Sequence, residues 1–190
     1  MSSLTTNLGL KKPDGTDLFF KREDYNSNLD KIDEAINNII TLPNVKVKAS
    51  GTTVPISYNN GVGIYVPWTG TDYDTHGMFD ISQPDCITCK VAGKYRISAS
   101  VDIDIVMKDS NYRIKTQLIM TRGTTNTILN IDYDPEFNTT IYQTVSASVQ
   151  LNVNDIIRVR VSPERDYNGF SLFRGTNNPM YFCAECFELT

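Results

Sequence analysis

Four cysteines, one histidine and several groups of carboxylates are the side chains of this 190-residue chain best suited to chemistry. The cysteines fall into two CxxC pairs, Cys86-Ile87-Thr88-Cys89 and Cys183-Ala184-Glu185-Cys186, and four thiolates in two such pairs can hold a tetrahedral zinc. Against this, the pairs lie far beyond zinc-ribbon spacing, and neither carries the glycine that often turns a metal knuckle. If both segments are strands, residues three apart point to opposite faces. A zinc on Cys86, Cys89, Cys183 and Cys186, a disulfide, and free buried thiols all stay open, with free thiols the expectation. His76 sits in the polar stretch Thr71 to Gly77, where a lone histidine reads as a surface residue rather than a general base. Asp102 and Asp104 share one strand face, and Asp132, Asp134 and Glu136 form an acidic turn. Either group offers oxygens suited to calcium, but a solvated face and a solvated turn are expected. The chain has no nucleophile motif, no phosphate-cradling glycine loop and no HExxH pattern. Paired carboxylates for glycoside hydrolysis would need a sugar groove that the sequence does not signal. A non-enzymatic chain with no cofactor is the expectation.

Two unlike patterns must position these residues. From Asp24 to about Ile40, the apolar residues Tyr25, Leu29, Ile32, Ile36 and Ile39 recur at steps of four, three, four and three, which makes one helical stripe. As a heptad, Leu29 and Ile36 take a positions and Tyr25, Ile32 and Ile39 take d, a choice that favours three or four strands over two. The stripe spans only about two heptads, so an ordinary amphipathic helix docked on the following domain is the competing reading. Pro43 ends the helical pattern. Beyond it come short alternating runs: 45–49, 53–58, 63–66, 78–81, 86–91, 95–106, 112–121, 128–133, 141–151, 156–161, 170–173 and 181–189. In the clearest, Tyr95, Ile97, Ala99, Val101, Ile103 and Ile105 oppose Arg96, Ser98, Ser100, Asp102 and Asp104. Many short strands without intervening helices predict a mainly β chain, a jelly-roll β-sandwich preceded by a short N-terminal helix. The expected division is 1–43, an attachment segment, and 44–190, the β domain.

Composition narrows the function class. Hydrophobic residues make up 40% and charged residues 21%, with a net charge of −4 and a pI near 5.0. No basic cluster suggests a nucleic-acid footprint. No signal-peptide pattern opens the chain, and no run approaches a bilayer span. Synthesis in the cytosol is expected, with any work outside the cell reached by another route, such as export within a particle.

Three stretches then carry a resemblance. Ile87 to Val101 resembles the strand, glycine turn and aromatic-led strand of the complement-head and tumour necrosis factor-like jelly rolls. Thr144 to Val159 resembles that family's later strand, turn and strand, and Tyr181 to Leu189 its closing strand. One departure is Asn154, which stands where glycine usually precedes Asp155, a substitution asparagine tolerates because it visits left-handed backbone. The resemblance covers about 45–190 and implies a homotrimer with the final strand in its inner sheet. The larger, more apolar set Tyr181, Cys183, Glu185, Phe187 and Leu189 is then expected in the domain core. Phe182, Ala184, Cys186 and Glu188 are expected on the trimer-axis side.

The opening is similar to something else. Leu8 to Gly15 followed by Asp24 to Asp33 resembles the start of tail and fibre proteins of bacteriophages that infect Gram-positive bacteria, where this segment anchors the chain to the virion. Together the resemblances imply a trimeric fibre or tail and baseplate component, made in the host cytoplasm and located in the virion. Its partners would be itself, other virion proteins through residues 1–43, and a host cell-wall glycan, with no nucleic acid and no membrane insertion. Tyr65, Trp68, Tyr73, Tyr133, Tyr142 and Tyr167 are the candidate glycan contacts, because aromatic faces suit sugars. Tyr25, Leu29, Ile32, Ile36, Ile39 and Phe182 are the candidate oligomer contacts. The alternative is a non-adhesive head-fibre, collar or decoration protein that caps or reinforces the particle.

Overall fold

The computed structural model describes residues 3–4, 10–12, 22–40, 42–50, 54–56, 63–105, 113–134, 140–163, 170–172 and 180–190. The chain divides into two compact units, Met1–Leu42 and Pro43–Thr190. In the first, β1 (Ser3–Leu4) pairs antiparallel with β2 (Lys11–Lys12), and α1 spans Arg22–Ile40. Tyr25, Leu29 and Ile36 of its apolar stripe are exposed, and Ile32 is half-buried. Ile39 lies outside the residues whose side chains are described.

The second unit is built from β3 (Asn44–Ala49), β4 (Val54–Ile56), β5 (Ile64–Tyr65), β6 (Gly70–Asp74), β7 (Ile87–Thr88), β8 (Gly93–Ile105), β9 (Ile114–Arg122), β10 (Thr125–Asp134), β11 (Thr140–Leu151), β12 (Ile156–Pro163), β13 (Phe170–Leu172) and β14 (Met180–Leu189). Among the described residues these strands form two antiparallel sheets. One runs β10-β9-β12, with β7 and β5 paired to the other edge of β12. The other places β8 at its centre, with β11 along one edge and β14 followed by β13 along the other. Beyond β14 come β3 and then β6. The strands therefore make a two-layer jelly-roll sandwich.

Alternation places the core. Val45, Val47 and Ala49 of β3, Tyr95 to Ile103 of β8 in steps of two, and Phe182 and Ala184 of β14 turn inward, to face Leu118, Ile157, Val159 and Val161 of the second sheet. Trp68 lies against Phe182, ring centroids 5.5 Å apart. A buried polar link joins β9 to β11: the Thr116 hydroxyl donates to Gln143 Oε1, and Gln143 Nε2 donates to the Ile114 carbonyl at 3.2 Å.

Three expectations change. Phe182 is fully buried and Phe187 is 52% exposed, so the two faces of the last strand are the reverse of those expected from size. The strand keeps strict alternation from Met180 to Phe187, so once Phe182, Ala184 and Cys186 turn inward Phe187 stands on the outer face. Second, Met78 to Ile81 is not a strand, since only Phe79 makes an isolated bridge, to Ile87. Third, the stretch read as a loop around Thr71 contains strand β6. That strand has no alternation to read and is held by its edge, where Asp72 pairs with Lys46 and Lys48 at 3.1 and 2.7 Å and the Tyr73 hydroxyl donates to Glu185 at 3.4 Å.

The turn between β11 and β12 follows expectation. Asn154 takes φ 70°, and its amide donates to the Cys89 carbonyl at 2.8 Å. Next to it, Arg122 Nε and Nη2 grip the buried Asp155 carboxylate, which also accepts the Asn152 amide at 2.7 Å. Burial alone would raise the Asp155 carboxyl. The bonds from Arg122 and Asn152 outweigh it and hold the group below the usual carboxylate range.

Two predictions follow from this packing. Phe182→Ala should cost about 3–5 kcal/mol by removing a core aromatic, whereas Phe187→Ala should change stability by less than about 0.5 kcal/mol, both read from urea unfolding; equal effects would contradict the face assignment. Because Asp155 titrates lower folded than unfolded, its stabilisation is complete above the unfolded carboxylate value of about 3.9 and is lost as pH falls through the folded value. Asp155→Asn should flatten the acid limb of the melting-temperature profile below about pH 4, and an unchanged slope there would count against the Arg122 clamp.

Candidate functional site

The cysteines are placed as separate thiols. Cys183 and Cys186 lie on opposite faces of β14. Cys183 Sγ is 3.0 Å from Ser98 Oγ, while the buried Cys186 thiol donates to the Glu188 carbonyl at 3.5 Å. Cys86 donates to the Gln83 carbonyl at 3.6 Å and Cys89 to the Val91 carbonyl at 3.1 Å. All four are free thiols, and no group of three or more potential metal ligands is gathered among the described residues. Burial pushes the Cys86, Cys89 and Cys186 thiols up, away from the thiolate that metal binding and nucleophilic attack require. Only the second pair, Cys183 and Cys186, is divided between the faces of one strand; Cys86 and Cys89 are both buried. The Tyr95 hydroxyl, pushed up by burial and the neighbouring Cys89, donates to the Val91 carbonyl at 2.7 Å.

Two of the aromatic candidates are withdrawn from the surface. Trp68 is 1% exposed and belongs to the core, which removes it from the surface candidates because its ring packs on Phe182. Tyr65 is half-buried beneath the Arg158 guanidinium, 5.3 Å from the ring centroid. Tyr73, Tyr133 and Tyr142 are exposed, on β6, β10 and β11. Tyr167 lies outside the described residues. Asp102, expected on a solvated face, is 2% exposed. The carboxylates of Asp104, Asp134 and Glu136 lie outside the residues whose side chains are described. His76 has its Nδ1 2.8 Å from Thr75 Oγ1.

What the chain does build is an ordered irregular loop, residues 75–86, between β6 and β7. Asp74 at the end of β6 organises it: Oδ1 accepts the His76 and Met78 amides at 3.3 and 3.0 Å, and Oδ2 accepts the Phe79 amide at 2.9 Å. Further along, Asp80 Oδ1 accepts the Ser82 amide at 2.8 Å. Bonds from the Ser82 amide and hydroxyl hold the Asp80 carboxyl below its usual range. The Met78 carbonyl accepts the Thr88 amide at 2.8 Å, the Pro84 carbonyl accepts the Trp68 amide at 2.7 Å, and Asp85 pairs with Arg158 at 3.1 Å. Against this loop lie two hollows that share Gly77, Asp80 and Lys90. One, of about 590 Å³, extends over Thr69, Gly70 and Phe79, and the other, of about 300 Å³, over Gln83, Cys86 and Asn154. The sequence reading missed this cleft, although the run Asp80-Ile81-Ser82-Gln83-Pro84-Asp85 carries turn chemistry.

The β domain has the jelly-roll fold of the complement C1q and tumour necrosis factor type. It is similar to the globular domain of zebrafish complement 1qA (17% identity, 78% of this chain and 99% of that chain covered, TM-score 0.55). Murine APRIL matches at 12% identity over 76% of this chain and 98% of that chain, with a TM-score of 0.57. Eiger, a tumour necrosis factor from S. frugiperda, matches at 11% over 79% and 95%, also with a TM-score of 0.57. At such identities the likeness establishes the fold alone. No protein-family model matches the sequence, and no curated protein matches it. No helix among the described residues is long and apolar enough to cross a membrane.

The loop's dependence on one carboxylate can be tested. Asp74→Ala leaves three backbone amides without their acceptor and should open the segment to chymotrypsin after Phe79, cleaving at least about tenfold faster than the parent under native conditions. Equal cleavage rates would show that Asp74 does not hold the loop.

Proposed function

We propose that this chain is a homotrimeric, non-enzymatic virion component of a bacteriophage, attached through residues 1–43 and presenting the jelly roll from residue 44 to the host surface. The observation that carries the trimer is the apolar stripe of α1, on which Tyr25, Leu29 and Ile36 remain exposed in the single chain at 56%, 42% and 47%. Large apolar side chains at such spacing are stabilised by neighbouring copies of the same helix, and their a and d identities suit more than two strands. A closed cyclic assembly satisfies the stripe without runaway association. The virion reading rests on the resemblance of Leu8 to Gly15 and Asp24 to Asp33 to phage fibre openings. The non-enzymatic reading is supported by the raised buried thiols.

A second reading, a non-adhesive head-fibre, collar or decoration protein, is favoured by one observation: of the aromatic candidates, Trp68 is buried in the core and Tyr65 is half-buried beneath Arg158. Adsorption of the purified protein to Gram-positive cell walls separates the two, since a structural cap should stay in solution. For the assembly itself, light scattering at micromolar concentration should give a mass three times the 21.4 kDa chain, and Leu29→Asp with Ile36→Asp should weaken association at least about tenfold. A monomeric parent would overturn the trimer.

A further inference from the structure

The cleft against the 75–86 loop has the makings of a ligand site that none of the aromatic candidates supplied. Its two hollows, of about 590 and 300 Å³, fall in the range of roughly 300–1,000 Å³ typical of small-molecule sites. Its walls are fixed before any ligand arrives, because Asp74, Asp80 and the Met78 and Pro84 carbonyls pin the loop at successive points. An irregular segment of this length, held this firmly on a rigid scaffold, is where binding residues concentrate.

The chemistry of the walls selects the ligand. Asp74 is committed to the backbone amides of His76, Met78 and Phe79. That leaves one carboxylate, Asp80, and one ammonium, Lys90, facing the space shared by both hollows. Asp74 keeps its charge while amides bond to it, so the lining carries one negative charge in excess and disfavours an anion. The remaining polar groups are Thr71 on one side and Gln83 and Asn154 on the other, the Thr69 hydroxyl being bonded to Ser50 and Lys48. Apolar surface comes from the half-buried Phe79 and from Ile81, which is 63% exposed at the rim. Closely spaced donors and acceptors of both kinds beside a small apolar platform match a ligand rich in hydroxyls with apolar C–H faces.

We infer that this cleft binds a neutral saccharide, with Asp80 accepting from hydroxyls, Lys90 donating to them and Phe79 lying under a ring face. The inference rests on the adhesive reading above and gives it a place and a ligand class. Gly70 supplies a clean test. It lines the larger hollow, a Cβ added there meets no atom within 4 Å, and its backbone is outside the positive-φ region, so a side chain fits the strand while filling the cleft. Gly77 lacks that advantage because its φ is +63°.

The experiment uses the full chain and a panel of neutral sugars (glucose, galactose, mannose, N-acetylglucosamine and N-acetylgalactosamine, with their disaccharides), beside glucuronic and sialic acids. Saturation-transfer NMR and calorimetry read the binding. At least one neutral sugar should bind at concentrations up to about 10 mM, and Gly70→Val and Lys90→Met should each weaken it at least about tenfold with the melting temperature unchanged. Failure of every neutral sugar, or preference for the acids, overturns the inference, as does full binding by Gly70→Val. Cell-wall adsorption that survives Gly70→Val also overturns the cleft while leaving the adhesive reading in place. A parent that does not adsorb at all counts against that reading itself.

Discussion

Insertion of the last strand into the middle of a sheet is the constraint on which the rest of the β domain depends. β14 lies between β8 and β3, and its Phe182 packs against Trp68 in the core. Until the final ten residues are in place, β8 lacks one neighbour over Gly93 to Ser100, and β3 lacks its link to the sheet. The domain's entry is tied to the same strand, since the Pro43 carbonyl accepts the Cys186 amide at 2.8 Å. Gly93 shows how close the approach is: a Cβ there would come within 2.6 Å of the Glu188 carbonyl oxygen and 2.8 Å of Cys186 Sγ. Such non-local pairing makes the fold costly to nucleate and cooperative once formed.

Trp68 connects this strand to the candidate site. Its ring meets β14, and its backbone amide donates to Pro84 in the irregular loop. The loop is thus carried by the core on one side and by the Asp74 carboxylate on the other. Rigidity here comes from carboxylates satisfying backbone amides, not from regular structure. The cleft therefore needs little ordering when a ligand enters, which is the entropic advantage of a preformed site.

Much of this was legible in the sequence where periodicity is strong. β8, β11 and β12 alternate over long runs, and Asn154 in its left-handed turn could be read from residue type and position. What failed did so for physical reasons. β6 is short and polar and exists because an edge partner and ion pairs hold it. The faces of β14 were misjudged because total apolar size pointed to the Phe187 set. The small residues Ala184 and Cys186 accompany Phe182 inward, and alternation then puts Phe187 outside. The cleft was hidden because its residues come from β6, the 75–86 loop, Lys90 and the turn at Asn154, and no local spacing records that convergence.

If the closing strand and the loop form one cooperative unit with the core, amide hydrogen exchange on the full-length protein will show it. The amides of Phe182 to Cys186 and those of Met78 and Phe79 should exchange at the rate of global unfolding, in step with the centre of β8. Exchange of the loop or of β14 at the rate of exposed chain, while β8 stays protected, would contradict the account.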